Sequence, residues 1–241
     1  MSLPNPEVLS LYDPRTNTTQ VGEILGRKSI LRPIDEFGED VENILALVSG
    51  ERVSLFCKRP EGVVTPPSTP TLGDGTGKNA GELYEIWRRL NIAGLPVAPQ
   101  AWIANRESVA CPDLTVGGEH FYDRRDSKLI GKRGRPLLPT DPVFLSISRE
   151  NIEDALWEVI EIASRQDIVI PFDDPMALLV KPNGNFKVYL LDFTTTMFDH
   201  SLPRRANISY ASRFMRYMDN TRKLLEKHLS KKTIDFFFKF I

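Results

Sequence analysis

The sequence predicts a two-lobed α+β protein with a small, sheet-containing N-terminal lobe and a mainly helical C-terminal lobe. Strand-like alternation of apolar and polar side chains dominates the first part of the chain. Helical spacing of apolar side chains dominates from Ser148 onward, and an irregular stretch rich in proline and charged residues separates the two patterns. We therefore place the N-terminal lobe, strands plus one helix, at residues 1–127 and the helical lobe at residues 128–241.

Four segments of the first lobe carry recognisable patterns. Residues 21–34 are strand-rich, and residues 35–48 (DEFGEDVENILALV) predict a short acidic helix. The segment ERVSLFCKRP, residues 51–60, alternates enough to predict a strand that ends on Lys58. Residues 62–79 combine Pro, Gly, Ser and Thr, which favours a loop.

A helix is predicted after this loop. Asn79 is its expected N-cap, and Gly94 is its expected stop. A strand resumes in PVAPQAWIA, residues 96–104. The apolar residues that recur at helical spacing are Leu83, Ile86, Trp87 and Leu90.

The clearest helix of the sequence begins after Ser148, its expected cap. A strand, a polar corner and a hairpin follow in residues 167–193, and the hairpin is expected to turn at residues 182–184. The tail, residues 204–241, predicts a basic helix with an apolar face. The apolar stripe of the helix after Ser148 consists of Ile152, Leu156, Val159, Ile160 and Ala163.

Composition and charge argue against several classes of protein. The 241 residues carry 31 Lys and Arg against 32 Asp and Glu, so no whole-molecule field favours a nucleic acid or an anionic membrane. Two separated cysteines and three histidines form neither a zinc pattern nor a disulfide framework. Neither a signal peptide nor a transmembrane run is recognisable, so we expect a cytoplasmic protein without a membrane partner.

The order of these elements resembles the protein-kinase-like fold over roughly residues 20–200. A strand ending in lysine, a helix with glutamate, the segment AGLPVAP, a long helix and a hairpin ending in LLDF follow one another. The likeness is closest to small-molecule and atypical kinases. It implies a nucleotide partner, ATP and Mg²⁺ as cofactors, and a protein or small-molecule substrate.

Carried over by position, the resemblance assigns three residues to the nucleotide and its metal. Lys58 in VSLFCK would hold the α and β phosphates. Glu82 would be its partner on the helix, in preference to Glu85, which can pair with Arg89 on the solvent side. Asp192 in LLDF would bind the Mg²⁺ that bridges the phosphates.

The segment IVIPFDDPMALLV departs from the catalytic pattern of that family. Asp173 and Asp174 are the candidate catalytic carboxylates, but they lie one and two residues after the expected base. Ala177 stands where an asparagine metal ligand is expected, and Thr194 replaces the glycine after DF. No glycine-rich loop is found near the N-terminus. The departures imply a weak or inactive phosphotransferase, a pseudokinase.

Each of these residues also has a structural interpretation. Lysine at a strand end, such as Lys58, is commonly solvated, and a carboxylate after a buried strand, such as Asp192, commonly caps a turn. Asp173 and Asp174 before a proline are typical of a turn. Glu82 suits the first turn of a helix, where the helix dipole favours negative charge.

A second hypothesis is a non-enzymatic module that binds a protein or a nucleic acid. The KRGRP loop, residues 132–136, matches the core of an arm that enters the minor groove of DNA. A metal-dependent nuclease is a third hypothesis, because strand-borne carboxylates bind Mg²⁺ in such enzymes. The basic residues of the tail that motivate the second hypothesis are Arg204, Arg205, Arg213, Arg216, Arg222, Lys223, Lys227, Lys231 and Lys232.

Overall fold

The structure of the protein is a computed structural model that divides into two compact units. The first, the barrel unit, contains the described residues up to Ile92 together with Val97–Val116 and Phe193. The second, the helix unit, contains Ala93–Pro96 and the remaining described residues. The described residues are 6–29, 41–58, 79–114, 116, 120–123, 142–171, 176–181, 183–190, 193 and 196–238.

The barrel unit is a closed barrel of six antiparallel strands. They are β1 (Val8–Asp13), β2 (Thr18–Ser29), β3 (Val41–Val48), β4 (Glu51–Lys58), β5 (Trp102–Ala104) and β6 (Ser108–Pro112). Around the barrel the order is β1, β2, β3, β4, β6, β5, and the barrel closes where Leu11 lies opposite Ala104. Alternate side chains point inward, so Leu9 and Leu11 are buried in the core while Ser10 between them is not.

Strand β3 replaces the acidic helix predicted for residues 35–48. Val41–Val48 pairs with β4 along its whole length and with β2 on its other side, whereas residues 35–40 lie outside the described residues. The turn to β4 consists of Ser49 and Gly50, with φ values of 52° and 84°, which a tight two-residue hairpin requires. Hydrogen bonds with two neighbouring strands satisfy the backbone N–H and C=O groups of β3, and this pairing outweighs the local helical pattern of the segment.

Helix α1 (Ala80–Ile92) confirms both predicted ends. Asn79 and Glu82 form a capping box: Asn79 Oδ1 accepts a hydrogen bond from the Glu82 N–H at 3.0 Å. In return, Glu82 Oε2 accepts one from the Asn79 N–H at 2.7 Å. Gly94, just beyond the helix, has a φ of 79°, the left-handed conformation that stops helices. The predicted apolar face is buried throughout.

A buried acid at the end of β1 attaches β1 to α1. Asp13 accepts hydrogen bonds from Arg15 at 3.2 and 3.0 Å and from the Tyr84 hydroxyl at 3.0 Å. The Arg15 guanidinium lies 5.2 Å from the centre of the Trp87 ring. Hydrogen bonding to Arg15 holds the pKa of Asp13 below its usual value, and burial raises the pKa of Tyr84 to about 12. A charged cluster therefore holds α1 in this unit.

The described part of the helix unit contains a three-stranded sheet and two long helices. In chain order they are β7 (His120–Asp123), a 3₁₀ helix (Pro142–Ser146), α2 (Arg149–Arg165), β8 (Met176–Val180), β9 (Phe186–Leu190) and α3 (Pro203–Phe238). The sheet is antiparallel in the order β7, β8, β9. The predicted hairpin is confirmed, since the Lys181 N–H donates to the Asn185 carbonyl at 2.7 Å and Gly184 has a φ of 84°.

The helix predicted after Ser148 is also confirmed. Ser148 Oγ accepts a hydrogen bond from the Asn151 N–H at 3.1 Å, which caps the first turn of α2. All five residues of the predicted apolar stripe are buried. The strand predicted immediately after this helix is reduced to one bridge, between Val169 and Met197.

Helix α3 is attached through Asn207, which is fully buried. Its side-chain oxygen accepts a hydrogen bond from the Ile170 N–H at 2.8 Å, and its side-chain nitrogen donates to the Ile168 carbonyl at 2.9 Å. Both backbone groups belong to the buried segment that follows α2. Asn207 therefore satisfies polar groups that water does not reach.

The predicted two-lobed protein-kinase-like fold is wrong. The described N-terminal strands close into a six-stranded antiparallel barrel, and the described C-terminal residues combine helices with a sheet instead of forming a mainly helical lobe. Closure depends on the pairing of Leu11 with Ala104. Periodicity within single segments cannot reveal a pairing between residues so far apart in the chain. The predicted boundary at residue 127 lies outside the described residues and stays a prediction.

Candidate functional site

The carboxylates predicted for catalysis and metal binding are not placed by the structure. Asp173, Asp174 and Asp192 lie outside the described residues, as does Thr194. Ala177 lies in β8, where its backbone pairs with β7 and β9. The described residues contain no group of three or more His, Cys, Asp and Glu side chains suited to hold a metal ion. The roles assigned to the three aspartates stay predictions.

Lys58 is the last residue of β4 and is buried, with 7% of its surface exposed. Its cross-strand neighbours are Val41 of β3 and Val109 of β6, and the preceding Cys57 belongs to the barrel core. Lysine is among the residues that are least often buried in proteins. The burial of Lys58 therefore contradicts the interpretation of a solvated strand end.

Glu82 acts as a helix cap, as its structural interpretation predicts. Its carboxylate accepts the Asn79 N–H and thereby completes the capping box of α1. Glu85, the alternative on the same helix, is bonded to Arg88 at 2.7 and 2.6 Å, and these bonds lower the pKa of Glu85. Both carboxylates thus have partners within or next to α1.

The most extensive array of exposed charge among the described side chains lies on α3. Its five members are exposed and all carry positive charge. At about 100° per residue, they fall within an arc of about 80° on one side of the helix. With a rise of about 1.5 Å per residue, the array extends for about 33 Å. We call this array the basic face; it consists of Arg205, Arg213, Arg216, Lys223 and Lys227.

The surroundings of the basic face leave its charge largely uncompensated. The other exposed residues of the same arc are uncharged: Ser209 and Asn220. Among the described carboxylates, none forms an ion pair with Arg205, Arg216 or Lys223. The same holds for Lys227, so at least four positive charges point to solvent without a negative partner in the described part of the chain.

Two other arginines of α3 bind partners within the helix unit and do not belong to the basic face. Arg204 pairs with Glu161 of α2 at 2.8 Å. Arg222 donates a hydrogen bond to the Ile147 carbonyl at 2.6 Å and lies 5.6 Å from the centre of the Phe144 ring. Of the nine basic residues that the sequence groups together, the fold places two in anchoring contacts and five on the basic face, whereas the side chains of Lys231 and Lys232 lie outside the described part of the chain.

A cavity of about 450 Å³ lies in the helix unit between the start of α2 and the turn from β8 to β9. Its polar lining includes Asn151, Lys181, Asn185 and Lys187, and Phe186 contributes an aromatic side chain. Two ammonium groups beside amide groups suit a small anion. The sequence alone does not predict this cavity, because its lining comes from separate segments that only the fold brings together.

Comparison with known proteins does not assign the chain to a family. No family model matches it, and no curated protein is similar to it in sequence. The KRGRP loop, residues 132–136, lies outside the described residues. None of the helices in the described part of the chain is both long and apolar enough to span a membrane.

Proposed function

We propose that the protein binds nucleic acid through the basic face of α3. The observation that carries the proposal is an array of exposed arginines and lysines, about 33 Å long, whose arc contains no carboxylate. Nucleic-acid backbones present regularly spaced phosphates, and their neutralisation by Lys and Arg releases condensed counterions. The length of the array is close to one turn of duplex DNA.

The chemistry of α3 favours a nucleic acid over a lipid surface. Helices that lie in a membrane interface bury an apolar face in the lipid. Apolar side chains of α3 such as Phe214, Met218 and Leu225 are buried. Among the α3 side chains that the structure describes, residues 203–227 and Ser230, no large hydrophobic one is exposed. This part of the helix therefore offers charge and hydrogen-bond donors to a ligand.

Fluorescence anisotropy with a labelled 20-nucleotide DNA, measured over a range of salt concentrations, tests this proposal. Phosphate contacts by the four members that form no ion pair with a described carboxylate predict that the logarithm of the binding constant falls with the logarithm of salt concentration with a slope of about −4 on duplex DNA. Reversal of one central charge, Arg216→Glu, is expected to weaken binding about tenfold at low salt and to reduce the slope by about 1.

The matched control is Arg52→Glu, which makes the same charge change at an exposed position of β4 in the barrel unit. It is expected to change the affinity less than about twofold, because Arg52 does not belong to the basic face and supplies none of the proposed phosphate contacts. Equal losses of affinity in Arg216→Glu and Arg52→Glu would show that binding depends on net charge alone. Absence of binding at low salt, or binding indifferent to salt, would refute the proposal.

A second candidate function is ATP- and Mg²⁺-dependent phosphotransfer, and the burial of Lys58 favours it. A lysine held on a strand can fix phosphate charge, and burial strengthens this electrostatic interaction. The candidate does not depend on the protein-kinase-like fold. Its predicted metal ligand, Asp192, is tested together with Lys58, and Asp173 and Asp174 stay its predicted catalytic residues.

Thermal melting with millimolar Mg-ATP separates the two candidates. Nucleotide binding should raise the melting midpoint of the native protein, and Lys58→Met and Asp192→Ala should each abolish the rise. Arg216→Glu should leave the rise intact, because the basic face lies on another element. Loss of the rise in Arg216→Glu alone would show that ATP binds the basic face as a simple anion. No rise in the native protein would eliminate this candidate.

A further inference from the structure

Helices α2 and α3 of the helix unit run antiparallel, as two ion pairs between them show. Arg149 at the start of α2 pairs with Asp219 in the middle of α3 at 3.5 Å. Glu161 near the end of α2 pairs with Arg204 at the start of α3 at 2.8 Å. The side of α2 that carries these two residues therefore borders α3 between residues 204 and 219.

Trp157 lies on this bordering side of α2. It lies one turn after Glu153 and one turn before Glu161. Glu153 pairs with Arg149 at 2.9 Å, and Glu161 pairs with Arg204. Residues four apart are neighbours on a helix surface, so Trp157 stands in the same row as the residues that form the two ion pairs. From the two ion pairs and the helical rise of about 1.5 Å per residue, Trp157 lies at the same height along the two helices as the α3 segment between Arg205 and Arg213.

The Trp157 side chain is 44% exposed although tryptophan is on average a highly buried residue. It is not part of the apolar stripe of α2, whose members are all buried. The nearby carboxylates Glu153 and Glu161 are each paired with an arginine. The exposed carboxylates Asp154 and Glu158 lie about 60° and 100° from Trp157 around α2. An exposed aromatic ring thus stands on the side of α2 that borders α3, and the two carboxylates of its own row are each paired with an arginine.

We infer that the ligand of the basic face is a single-stranded nucleic acid, with one base stacked on Trp157 while its phosphates contact α3; this inference rests on the proposed function. Proteins that bind single strands combine a positively charged track with aromatic side chains on which bases stack. In a duplex, the bases are already stacked and paired, so Trp157 adds little to duplex binding. Stacking therefore distinguishes the two ligands, whereas phosphate contact does not.

The experiment measures dissociation constants for a labelled 20-nucleotide single strand and for the duplex of the same sequence. In the native protein, the single strand should bind more tightly than the duplex at equal salt concentration. Trp157→Ala should weaken single-strand binding about tenfold and change duplex binding less than twofold. Trp157→Phe, which retains an aromatic ring, should recover most of the lost affinity. Melting midpoints of both variants verify that they fold.

The ratio of the two dissociation constants separates this inference from the proposed function. Arg216→Glu should weaken the binding of both ligands and leave the ratio of the two dissociation constants nearly unchanged, because it removes only a phosphate contact. If Trp157→Ala leaves the ratio unchanged while binding remains sensitive to salt, the stacking inference is overturned and the proposed function stands. If neither ligand binds at low salt, both fail. If Trp157→Phe loses as much as Trp157→Ala, the aromatic ring is not the determinant and the inference is overturned.

Discussion

The buried polar group that attaches a helix differs between the two units: it is charged in the barrel unit and neutral in the helix unit. In the barrel unit, α1 is held by charged residues: Asp13 binds Arg15 and Tyr84, and Glu82 closes the capping box. In the helix unit, α3 is held by the neutral, fully buried Asn207, and Arg204 and Arg222 add charged contacts to Glu161 and to the Ile147 carbonyl. Four members of the basic face of α3, namely Arg205, Arg216, Lys223 and Lys227, form no ion pair with a described carboxylate.

This difference shows how charge is divided between structure and binding. A carboxylate that already accepts several hydrogen bonds, such as Asp13, contributes to stability and has little capacity left for a ligand. An exposed arginine that forms no ion pair with a described carboxylate, such as Arg216, contributes little to stability and keeps bonding capacity for a ligand. The comparison predicts that substitutions in the first class change stability, whereas those in the basic face change binding.

The largest effect on stability is expected from Asn207→Ala. The substitution leaves the Ile170 N–H and the Ile168 carbonyl buried without their side-chain partner. We expect the free energy of unfolding to fall by about 3 kcal/mol, measured by urea denaturation. The matched control is Asn220→Ala, an exposed asparagine of the same helix, with an expected change below about 0.5 kcal/mol. Equal effects would show that helix propensity, and not the buried amide, attaches α3.

Asp13→Asn should have the next largest effect, a loss of about 2 kcal/mol at pH 7, because it removes the charge that Arg15 and Tyr84 bind. The folded-state pKa of Asp13 lies below its ordinary value of 3.8. Its contribution is therefore complete above that value and is lost as the pH falls through the lower, folded-state pKa.

The corresponding measurement is urea denaturation of the native protein and of Asp13→Asn between pH 7 and pH 2. The difference between the two free energies of unfolding should narrow below about pH 4. Tyr84→Phe serves as the partner control, since it removes one hydrogen bond to Asp13 and leaves the carboxylate in place. A difference that stays constant down to pH 2 would show that the Asp13 charge does not stabilise the barrel unit.

Glu82→Ala is expected to cost about 1 kcal/mol, because it opens one half of the capping box. Glu82→Gln retains a side-chain oxygen that can accept the Asn79 N–H, so its cost should stay below about 0.5 kcal/mol. Thermal melting of both variants provides the measurement. A second readout concerns the nucleotide. If Glu82→Gln keeps its stability and also loses a rise in the melting midpoint that Mg-ATP produces in the native protein, Glu82 has the nucleotide-binding role that the resemblance to kinases implies.

The smallest effect on stability is expected in the basic face. Arg205→Gln, Arg216→Gln and Lys223→Gln should each change the free energy of unfolding by less than about 0.5 kcal/mol, because these side chains are exposed and have no ion pair with a described carboxylate. Each should nevertheless weaken nucleic-acid binding. A large loss of stability would show that the basic face is structural, and it would remove the contrast between the two units.

Local signals predicted several elements correctly. The cap at Asn79, the stop at Gly94, the cap at Ser148 and the turn at Gly184 all depend on interactions within a few residues. Such interactions operate wherever the segment is placed, so a single sequence carries them. The basic character of the tail is likewise a property of composition, and α3 confirms its predicted helix.

Resemblance in the order of elements was a weaker guide, because different folds share similar successions of strands and helices. Residues 41–48 read as part of a helix, yet pairing with β2 and β4 makes them a strand. The strand that ends on Lys58 is present, but its place inside a barrel is a property of the whole sheet.

The sequence by itself determined the helix ends, the apolar stripe of α2 and the concentration of positive charge in the tail, because these depend on neighbouring residues. Only the tertiary structure decided that the N-terminal strands close into a barrel through Leu11 and Ala104 and that Lys58 is buried. It also divided the described basic residues of α3 into anchors and an exposed face and left Trp157 of α2 exposed. These outcomes depend on contacts between distant segments, whose free energy no local pattern contains.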